Sequence, residues 1–180
     1  MWVGFNKGSF EYPETCILRD ASFGIMPGEV LCLVGRSGSG KSTVVDILLG
    51  YKTPSSGHIV HDTDTVVNEV PQANALYNYF TVQENLEFFS RLWSQSTENI
   101  EEYIDILDVR PFFNRTVETL SGGQKRRVSF LLGLLGNPSV ICLDEPTTGL
   151  DPQTKHDLWD ITKCVRDSGV GILLVTHMMD

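Results

Sequence analysis

The segment Gly35–Ser42, with the sequence GRSGSGKS, constrains the fold of this 180-residue chain more than any other. It matches the pattern G-x-x-x-x-G-K-[ST], with an apolar run, Glu29–Val34, before it and a helical pattern, Lys41–Leu49, after it. In this context the glycines let backbone N–H groups surround a phosphate, and the helix N-terminus adds partial positive charge. A plain Gly/Ser turn is the alternative, but strand, loop and helix together favour a phosphate site.

Two further apolar runs, Ser139–Leu143 and Val170–Val175, are typical of strands that are buried on both faces of a parallel sheet. Asp151 is a candidate N-cap, with Pro152 in the first helical position, for a helix that ends at Ser168-Gly169. The order of strand, helix and strand predicts an α/β fold.

The middle of the chain has helical patterns instead. Thr81 and Glu84 form a T-x-x-E capping box for a helix that reaches about Trp93. A second amphipathic stripe ends before Pro111 and consists of Ile100, Tyr103, Ile104 and Leu107. We therefore predict that residues 74–137 form a helical insertion into the α/β core.

Charge and cysteine content exclude several classes of protein. The net charge of −9 argues against a nucleic-acid surface, which needs clustered positive charge, although one local loop can still bind an anion. Cys16, Cys32, Cys142 and Cys164 form no CxxC pair, so we expect buried free thiols in a reducing compartment. Cys32 and Cys142 lie within apolar runs.

No membrane segment or signal peptide is predicted. Met1–Phe10 lacks the apolar core of a signal peptide. The longest apolar stretch, Val128–Leu143, is interrupted by Asn137-Pro138 and is shorter than the ~20 residues that span a bilayer. We expect a soluble chain, with any membrane helices elsewhere in the parent protein.

Two acids follow the apolar run Ser139–Leu143. A parallel strand would deliver Asp144 to the carboxyl edge of the sheet, where ligands of open α/β sheets bind. We predict that Asp144 holds Mg²⁺ and that Glu145 polarises the attacking water as a general base. An ordinary polar strand end is the alternative, which the phosphate loop makes less favoured.

A second phosphate-facing helix end is predicted at the sequence LSGGQ. Ser121 is a natural N-cap for the helical run Lys125–Leu135, and the two glycines expose backbone N–H groups. One ATP does not need both helix ends from the same subunit. The residues of this signature are Leu120, Ser121, Gly122, Gly123 and Gln124.

With the phosphate loop, LSGGQ, the strand that ends in Asp-Glu, and a late His177, the chain resembles the nucleotide-binding domain of an ABC ATPase over essentially its whole length. The resemblance implies a P-loop NTPase core with a mostly parallel sheet (1–73 and 138–180), a helical signature subdomain (74–137) and an N-terminal antiparallel β part. It also implies ATP hydrolysis with Mg²⁺ in a head-to-tail dimer, in which the signature acts in trans on the partner's ATP.

The resemblance assigns residues to the nucleotide. Its phosphate-contacting set is Gly35, Arg36, Ser37, Gly38, Ser39, Gly40, Lys41, Ser42 and Thr43. Its magnesium ligands are Ser42, Gln72 and Asp144, and its catalytic set is Glu145, His177 and Gln72, with His177 sensing the γ-phosphate. Tyr12 corresponds to the aromatic that stacks on adenine, although Phe10 is a rival. Asp151 corresponds to the acid of the loop that crosses the dimer, although it would equally serve as an N-cap.

The resemblance further implies a second nucleotide-binding domain, from the same or a different chain, and a transmembrane partner at the cytoplasmic face of a membrane. In the family, the region of Tyr77, Tyr79 and Phe80 receives a short helix of the membrane domain. We therefore expect an exposed aromatic cluster there, whereas Leu86 and Phe89 are expected to pack inside the helical part.

Details of the sequence favour subfamily A, the lipid-type transporters, with subfamily G next, on the segments Asp144–Pro152 and Thr176–Asp180. The sequence departs from the pattern of the family in two places. The segment Gly57–Glu69 is shorter than the family's, and the chain stops three residues after His177, as expected of a C-terminally truncated domain.

A protein with these motifs has three alternatives to the role of a transporter ATPase. A chromosome-maintenance ATPase fails because only 80 residues separate Lys41 from Ser121, which leaves no room for a long coiled coil. A translation-factor protein and a non-catalytic ATP-binding regulatory domain remain as alternatives.

Overall fold

The structure, a computed structural model, describes residues 3–98 and 100–177. Its strands are β1 (Val3–Tyr12), β2 (Thr15–Ile25), β3 (Val30–Val34), β4 (Ser56–His61), β5 (Val67–Val70), β6 (Val140–Asp144) and β7 (Gly171–Thr176). Its helices are α1 (Lys41–Leu48), α2 (Val82–Leu92), α3 (Ile100–Ile106), α4 (Gly122–Gly133) and α5 (Pro152–Asp167).

Four strands form a parallel sheet in the order β3-β7-β6-β5. β6 and β7 are almost completely buried, because their apolar side chains pack against helices on both faces. The three apolar runs are all strands, and α1 and α5 lie where the sequence predicts them. The predicted α/β fold is confirmed.

A second, antiparallel sheet has the order β2-β1-β4 and packs against α1. The shared core joins Phe5 and Ile25 of this sheet to Val44 and Val45 of α1 and to Val175 of the parallel sheet. The helix that follows the phosphate loop is thereby held between two sheets.

The helices α2, α3 and α4 lie between β5 and β6 in the chain. Thr81 and Glu84 make both hydrogen bonds of the predicted capping box, and the predicted stripe on α3 is buried. Leu86 and Phe89 are buried, as expected. α3 ends at Ile106, several residues before Pro111, because Asp108 has a left-handed backbone (φ 49°) that a helix cannot continue. A 3₁₀ turn, Arg110–Phe112, follows.

The expectation that all cysteines are buried is wrong. All four are free thiols, and only Cys142 is buried, which raises the pKa of its thiol to about 12. Cys32 is exposed because β3 is an edge strand of the sheet and leaves one face, with Cys32 and Val34, accessible to solvent.

Within the two described ranges, no helix is long and apolar enough to cross a bilayer. Met178, Met179 and Asp180, part of the segment used for the subfamily assignment, lie outside the described residues.

One buried amide holds the loop before α2. The Asn85 side chain is fully buried, accepts a hydrogen bond from the Tyr77 backbone N–H (2.9 Å), and donates to the backbone carbonyls of Tyr77 (3.1 Å) and Thr81 (2.9 Å). The Tyr77 carbonyl also accepts from the Phe80 N–H (3.2 Å), and the Thr81 carbonyl also accepts from the Asn85 N–H (3.0 Å), so the Tyr77 N–H is the group that depends most on the Asn85 side chain.

We expect Asn85→Ala to lower the free energy of unfolding by about 2–3 kcal/mol, because buried polar groups that lose their partner cost about 1–3 kcal/mol each. Urea denaturation measures the change. Gln83→Ala is the matched control on the same helix, since the Gln83 side chain donates to the exposed Glu87 carboxylate (2.9 Å), and it should change stability by less than about 0.5 kcal/mol. Equal effects of the two substitutions would contradict this account.

Candidate functional site

The carboxyl ends of the parallel strands open into one cavity of about 470 Å³. Its lining comes from the phosphate loop, both sheets and the loops that follow β5, β6 and β7. The lining residues are Tyr12, Ile17, Ser37, Gly38, Gly40, Lys41, Ser42, Thr43, Gln72, Asp144, Glu145 and His177. Most of the residues predicted to contact nucleotide are therefore brought together, whereas Gly35, Arg36 and Ser39 belong to the loop outside this lining.

Two glycines give the phosphate loop its shape. Gly38 (φ 79°) and Gly40 (φ 92°) have left-handed backbone conformations, which glycine adopts without steric cost, and Gly40 is the N-cap of α1. A Cβ atom on Gly40 would lie 2.1 Å from Cγ2 of Ile17. Ile17, which sequence reasoning missed, thus packs directly on the loop and lines the same cavity.

The Lys41 side chain bonds back onto its own loop. Its Nζ donates to the carbonyl oxygens of Gly35 (2.7 Å) and Arg36 (3.1 Å). A flexible ammonium group held by two carbonyl oxygens stays next to the N–H groups of the loop, where an incoming phosphate can replace those acceptors.

Glu145 and His177 are in direct contact. His177 Nδ1 lies 2.7 Å from Glu145 Oε1, and the Thr148 hydroxyl lies 3.4 Å from the other carboxylate oxygen. The side chain of Glu145 is mostly shielded from solvent (13% exposed). Its backbone has φ 45°, an uncommon conformation for a residue with a side chain, of the kind that clusters at functional sites.

Asp144 has an environment suited to a cation. Burial, followed by the nearby charge of Glu145, raises the pKa of its carboxyl, while Lys41 and Arg126 oppose the rise. A partly buried carboxylate beside a second acid gains from a bound positive charge. With the Ser42 hydroxyl in the same cavity, these oxygen donors fit Mg²⁺, which takes one or two carboxylates and completes its shell with phosphates and water.

Arg126, which sequence reasoning also missed, ties α4 to this site. It is almost fully buried (4% exposed), and its guanidinium donates to the backbone carbonyls of Pro71, Gln72 (3.4 Å) and Asp144 (3.2 Å). Burial lowers the pKa of Arg126 to about 10, with the charge of Asp144 acting in the opposite direction. One side chain therefore fixes the backbone at two predicted magnesium ligands.

Tyr12, at the end of β1, lines the cavity with 42% of its surface exposed. Phe10, the rival aromatic, packs against the core and meets the Tyr12 ring edge-on at 5.2 Å. Hydrogen bonds from the side chains of Thr43 and Lys52 lower the pKa of the Tyr12 phenol.

The signature lies away from the cavity. Ser121 caps α4, accepting from the Gln124 backbone N–H (3.2 Å), and the Gln124 side chain accepts from the Ser121 N–H (3.0 Å). Ser121, Gly123 and Gln124 line a separate pocket of about 300 Å³, while Leu120 is buried beneath them.

Asp151 is an N-cap, as one of its two interpretations predicts. Its carboxylate accepts from the Thr154 backbone N–H (3.0 Å) and hydroxyl (2.6 Å), and these bonds lower the pKa of the carboxyl. A Cβ on Gly123 would lie 2.5 Å from Cγ2 of Thr154, so the signature packs closely against the first turn of α5.

The fold and the gathered side chains define a P-loop nucleotide-binding domain. The family model described as "ABC transporter" matches residues 18–148, and the chain belongs to this family. The expectation of the ATPase domain of a transporter is confirmed at the level of the family.

Three relatives illustrate the breadth of the family. The chain is 38% identical to the Nod factor export ATP-binding protein I of Neorhizobium galegae, over 94% of this chain and 53% of that protein. It is 35% identical to ABC transporter G family member 20 of Dictyostelium discoideum, over 94% of this chain and 25% of that protein. It is 38% identical to the ABC-type organic anion transporter ABCA8A of Mus musculus, over 89% of this chain and 11% of that protein. Because both subfamilies match at similar identity, the preference for subfamily A stays a prediction.

The chain spans about half the length of the first of these relatives and a smaller share of the other two. Among solved structures, the ATP binding subunit of an ABC transporter matches with a TM-score of 0.78 at 25% identity, over 99% of this chain and 80% of that one. The fold also matches cbiO1 from Clostridium perfringens, part of the ABC transporter complex cbiONQ, with a TM-score of 0.86 at 24% identity, over 99% and 79%.

The neighbours Arg126 and Arg127 offer a test of the site's architecture. We expect Arg126→Lys to lower the free energy of unfolding by about 2 kcal/mol, since a compact ammonium group cannot reach all three carbonyls and hydrogen bonds to charged groups contribute about 1.5–3 kcal/mol each. Arg127→Lys should cost under about 1 kcal/mol, because Arg127 pairs with the largely exposed carboxylates of Asp108 and Asp157. Chemical denaturation measures the free energy of unfolding of both variants. An Arg127 variant that is as unstable as the Arg126 variant would refute the role of Arg126 in holding the backbone of the site.

Proposed function

We propose that this chain binds Mg-ATP in the strand-end cavity and hydrolyses it in a head-to-tail dimer that drives a membrane-spanning partner. The observation that carries the proposal is the gathering of the phosphate loop, Gln72, Asp144, Glu145 and His177 around one cavity. The core would comprise residues 1–73 and 138–180, and the helical part residues 74–137.

The proposed chemistry is phosphoryl transfer to water, in which positioning and charge neutralisation dominate. The loop N–H groups and Lys41 bind the phosphates, and the Tyr12 ring stacks on adenine. Glu145 accepts a proton from the attacking water. His177 Nδ1, 2.7 Å from Glu145 Oε1, holds that carboxylate in place. In this proposal His177 also senses the γ-phosphate.

Ser42, Gln72 and Asp144 would hold Mg²⁺, which supplies charge neutralisation at the phosphate oxygens when bound. Arg126 supports this arrangement, because it fixes the backbone of Gln72 and Asp144 without entering the cavity.

The proposed dimer rests on the separation of the two phosphate-facing helix ends. In this chain Ser121 and Gly123 line a different pocket from Lys41, so the signature is free to close over the ATP of a second domain. Asp151, beside the signature through Thr154, is suited to the loop that crosses between the two domains.

The proposed membrane partner docks on the aromatic loop before α2. Tyr77 (47%), Tyr79 (83%) and Phe80 (36%) are exposed, and Phe80 continues into a groove of about 460 Å³ along α2. Exposed apolar clusters of this kind mark interaction sites. This surface would place the chain at the cytoplasmic face of a membrane, and the export and transport named for its relatives favour this role over a translation factor or a regulatory domain.

The direct test compares Glu145→Gln with Lys41→Ala. Glu145→Gln should retain ATP affinity and lose about 10²–10⁴-fold in turnover, because the amide keeps the shape and loses the base. Lys41→Ala should lose affinity itself, since charge-assisted contacts contribute about 1.5–3 kcal/mol. Fluorescent-ATP titration and phosphate release measure the two effects.

Turnover of Glu145→Gln within about threefold of wild type would exclude Glu145 as the base. A wild-type chain that binds ATP without turnover would favour the alternative of a non-catalytic regulatory domain.

For the docking surface, Tyr79→Ala in the full-length protein should leave ATP affinity unchanged and uncouple hydrolysis from transport. Tyr79 is the matched choice because its ring is mostly exposed, whereas the ring of Tyr77 packs on Phe88 at 4.9 Å. Transport assays in vesicles, with Tyr51→Ala as a control at another exposed tyrosine, measure the effect. Normal transport by Tyr79→Ala would remove Tyr79 from the docking surface.

A further inference from the structure

Lys52, four residues beyond the end of α1, is anchored to that helix twice. Its Nζ forms an ion pair with the carboxylate of Asp46, and its backbone N–H donates to the Asp46 carbonyl (3.2 Å). Both side chains are one-third exposed (33%). Because α1 begins at the phosphate loop, the position of Lys52 is fixed relative to the phosphate site.

The same ammonium group faces the proposed adenine-stacking ring. Nζ of Lys52 lies 5.9 Å from the centroid of the Tyr12 ring. Thr43 and, after it, Lys52 also lower the pKa of the Tyr12 phenol, which is consistent with this proximity. Because Asp46 belongs to α1, the contact of Lys52 with the ring links Tyr12 to the helix that follows the phosphate loop.

We propose that Lys52 is a positioning residue that sets the orientation of Tyr12 for the nucleotide base and thereby determines affinity for the base, not for the phosphates. This inference rests on the proposed role of Tyr12. Tyr12 lies at an exposed strand end, where Phe10 contacts its ring edge-on (5.2 Å) and Lys52 adds a second contact. A ring that is held in place before binding loses less freedom on stacking.

The charges argue against direct phosphate binding by Lys52. Asp46 neutralises the ammonium group through the ion pair, so the pair as a whole offers little attraction to a polyanion. Lys52 also does not line the cavity that Lys41 and Ser42 share.

The experiment titrates the 1–180 chain with Mg-ATP and with inorganic tripolyphosphate, which carries the phosphates without a base. Lys52→Met should weaken ATP binding by about 3–10-fold, because part of the base–aromatic stacking is lost, and should leave tripolyphosphate affinity within about twofold. Lys52→Arg should restore most of the ATP affinity. In a Tyr12→Leu background, Lys52→Met should add less than about twofold.

The outcomes separate the two levels of the proposal. Equal weakening of both ligands by Lys52→Met would make Lys52 a phosphate contact and overturn the inference. If Tyr12→Leu weakens ATP binding but Lys52→Met does not, the proposed role of Tyr12 at the adenine stands, and the inference about Lys52 is overturned. If Tyr12→Leu does not change ATP affinity, both the stacking role of Tyr12 and the positioning role of Lys52 are overturned. If Lys52→Met fails to fold, Asp46→Asn, which removes the ion pair that holds the Lys52 ammonium group, should give the same selective loss for ATP. Unchanged ATP affinity of that variant overturns the inference.

Discussion

The parallel register of β3, β7 and β6 determines where the proposed catalytic side chains lie. Val34 pairs with Thr176, and Asp144 pairs with Val175, so the three strands end at one level. Two further backbone bonds continue the ladder beyond them, from Gly35 N–H to Thr176 O (3.3 Å) and from Glu145 N–H to Val175 O (2.9 Å). The phosphate loop, the acid pair and the late histidine therefore begin from a common edge, as ligand sites of open α/β sheets do.

The helix α4 connects that edge to the signature. Its first residues carry the glycines of LSGGQ, and Arg126, one turn later, holds the backbone of Gln72 and Asp144. At the far end of the helix, the Asn68 side chain of β5 donates to the carbonyls of Gly133 (3.0 Å) and Leu135 (2.8 Å). If the signature moves when the dimer closes, α4 would transmit that displacement through Arg126 to the loop after β5. The same loop leads to the proposed docking surface.

Motifs that act through local geometry could be predicted from the sequence, because the phosphate loop, the capping box at Thr81 and the N-caps at Ser121 and Asp151 depend on residues within a few positions. Arg126 could not, because its partners lie 18 to 55 residues away, and neither could the contact of Ile17 with Gly40. The exposure of Cys32 was mispredicted for a related reason. Hydrophobic runs indicate a strand, but they do not reveal which strand lies at the edge of the sheet.

The central claim is that each ATP is enclosed by the phosphate loop of one domain and the signature of another. Mixing two inactive variants tests it most directly: Lys41→Ala, with a defective phosphate loop, and Gly123→Asp, whose side chain has no room beside Thr154 and carries negative charge to the signature. In a mixed dimer, one site then combines an intact loop with an intact signature, so ATP turnover should reappear on mixing, although neither variant turns over ATP alone. A mixture that stays inactive, with dimers of both variants demonstrated, would contradict the claim that the signature acts in trans.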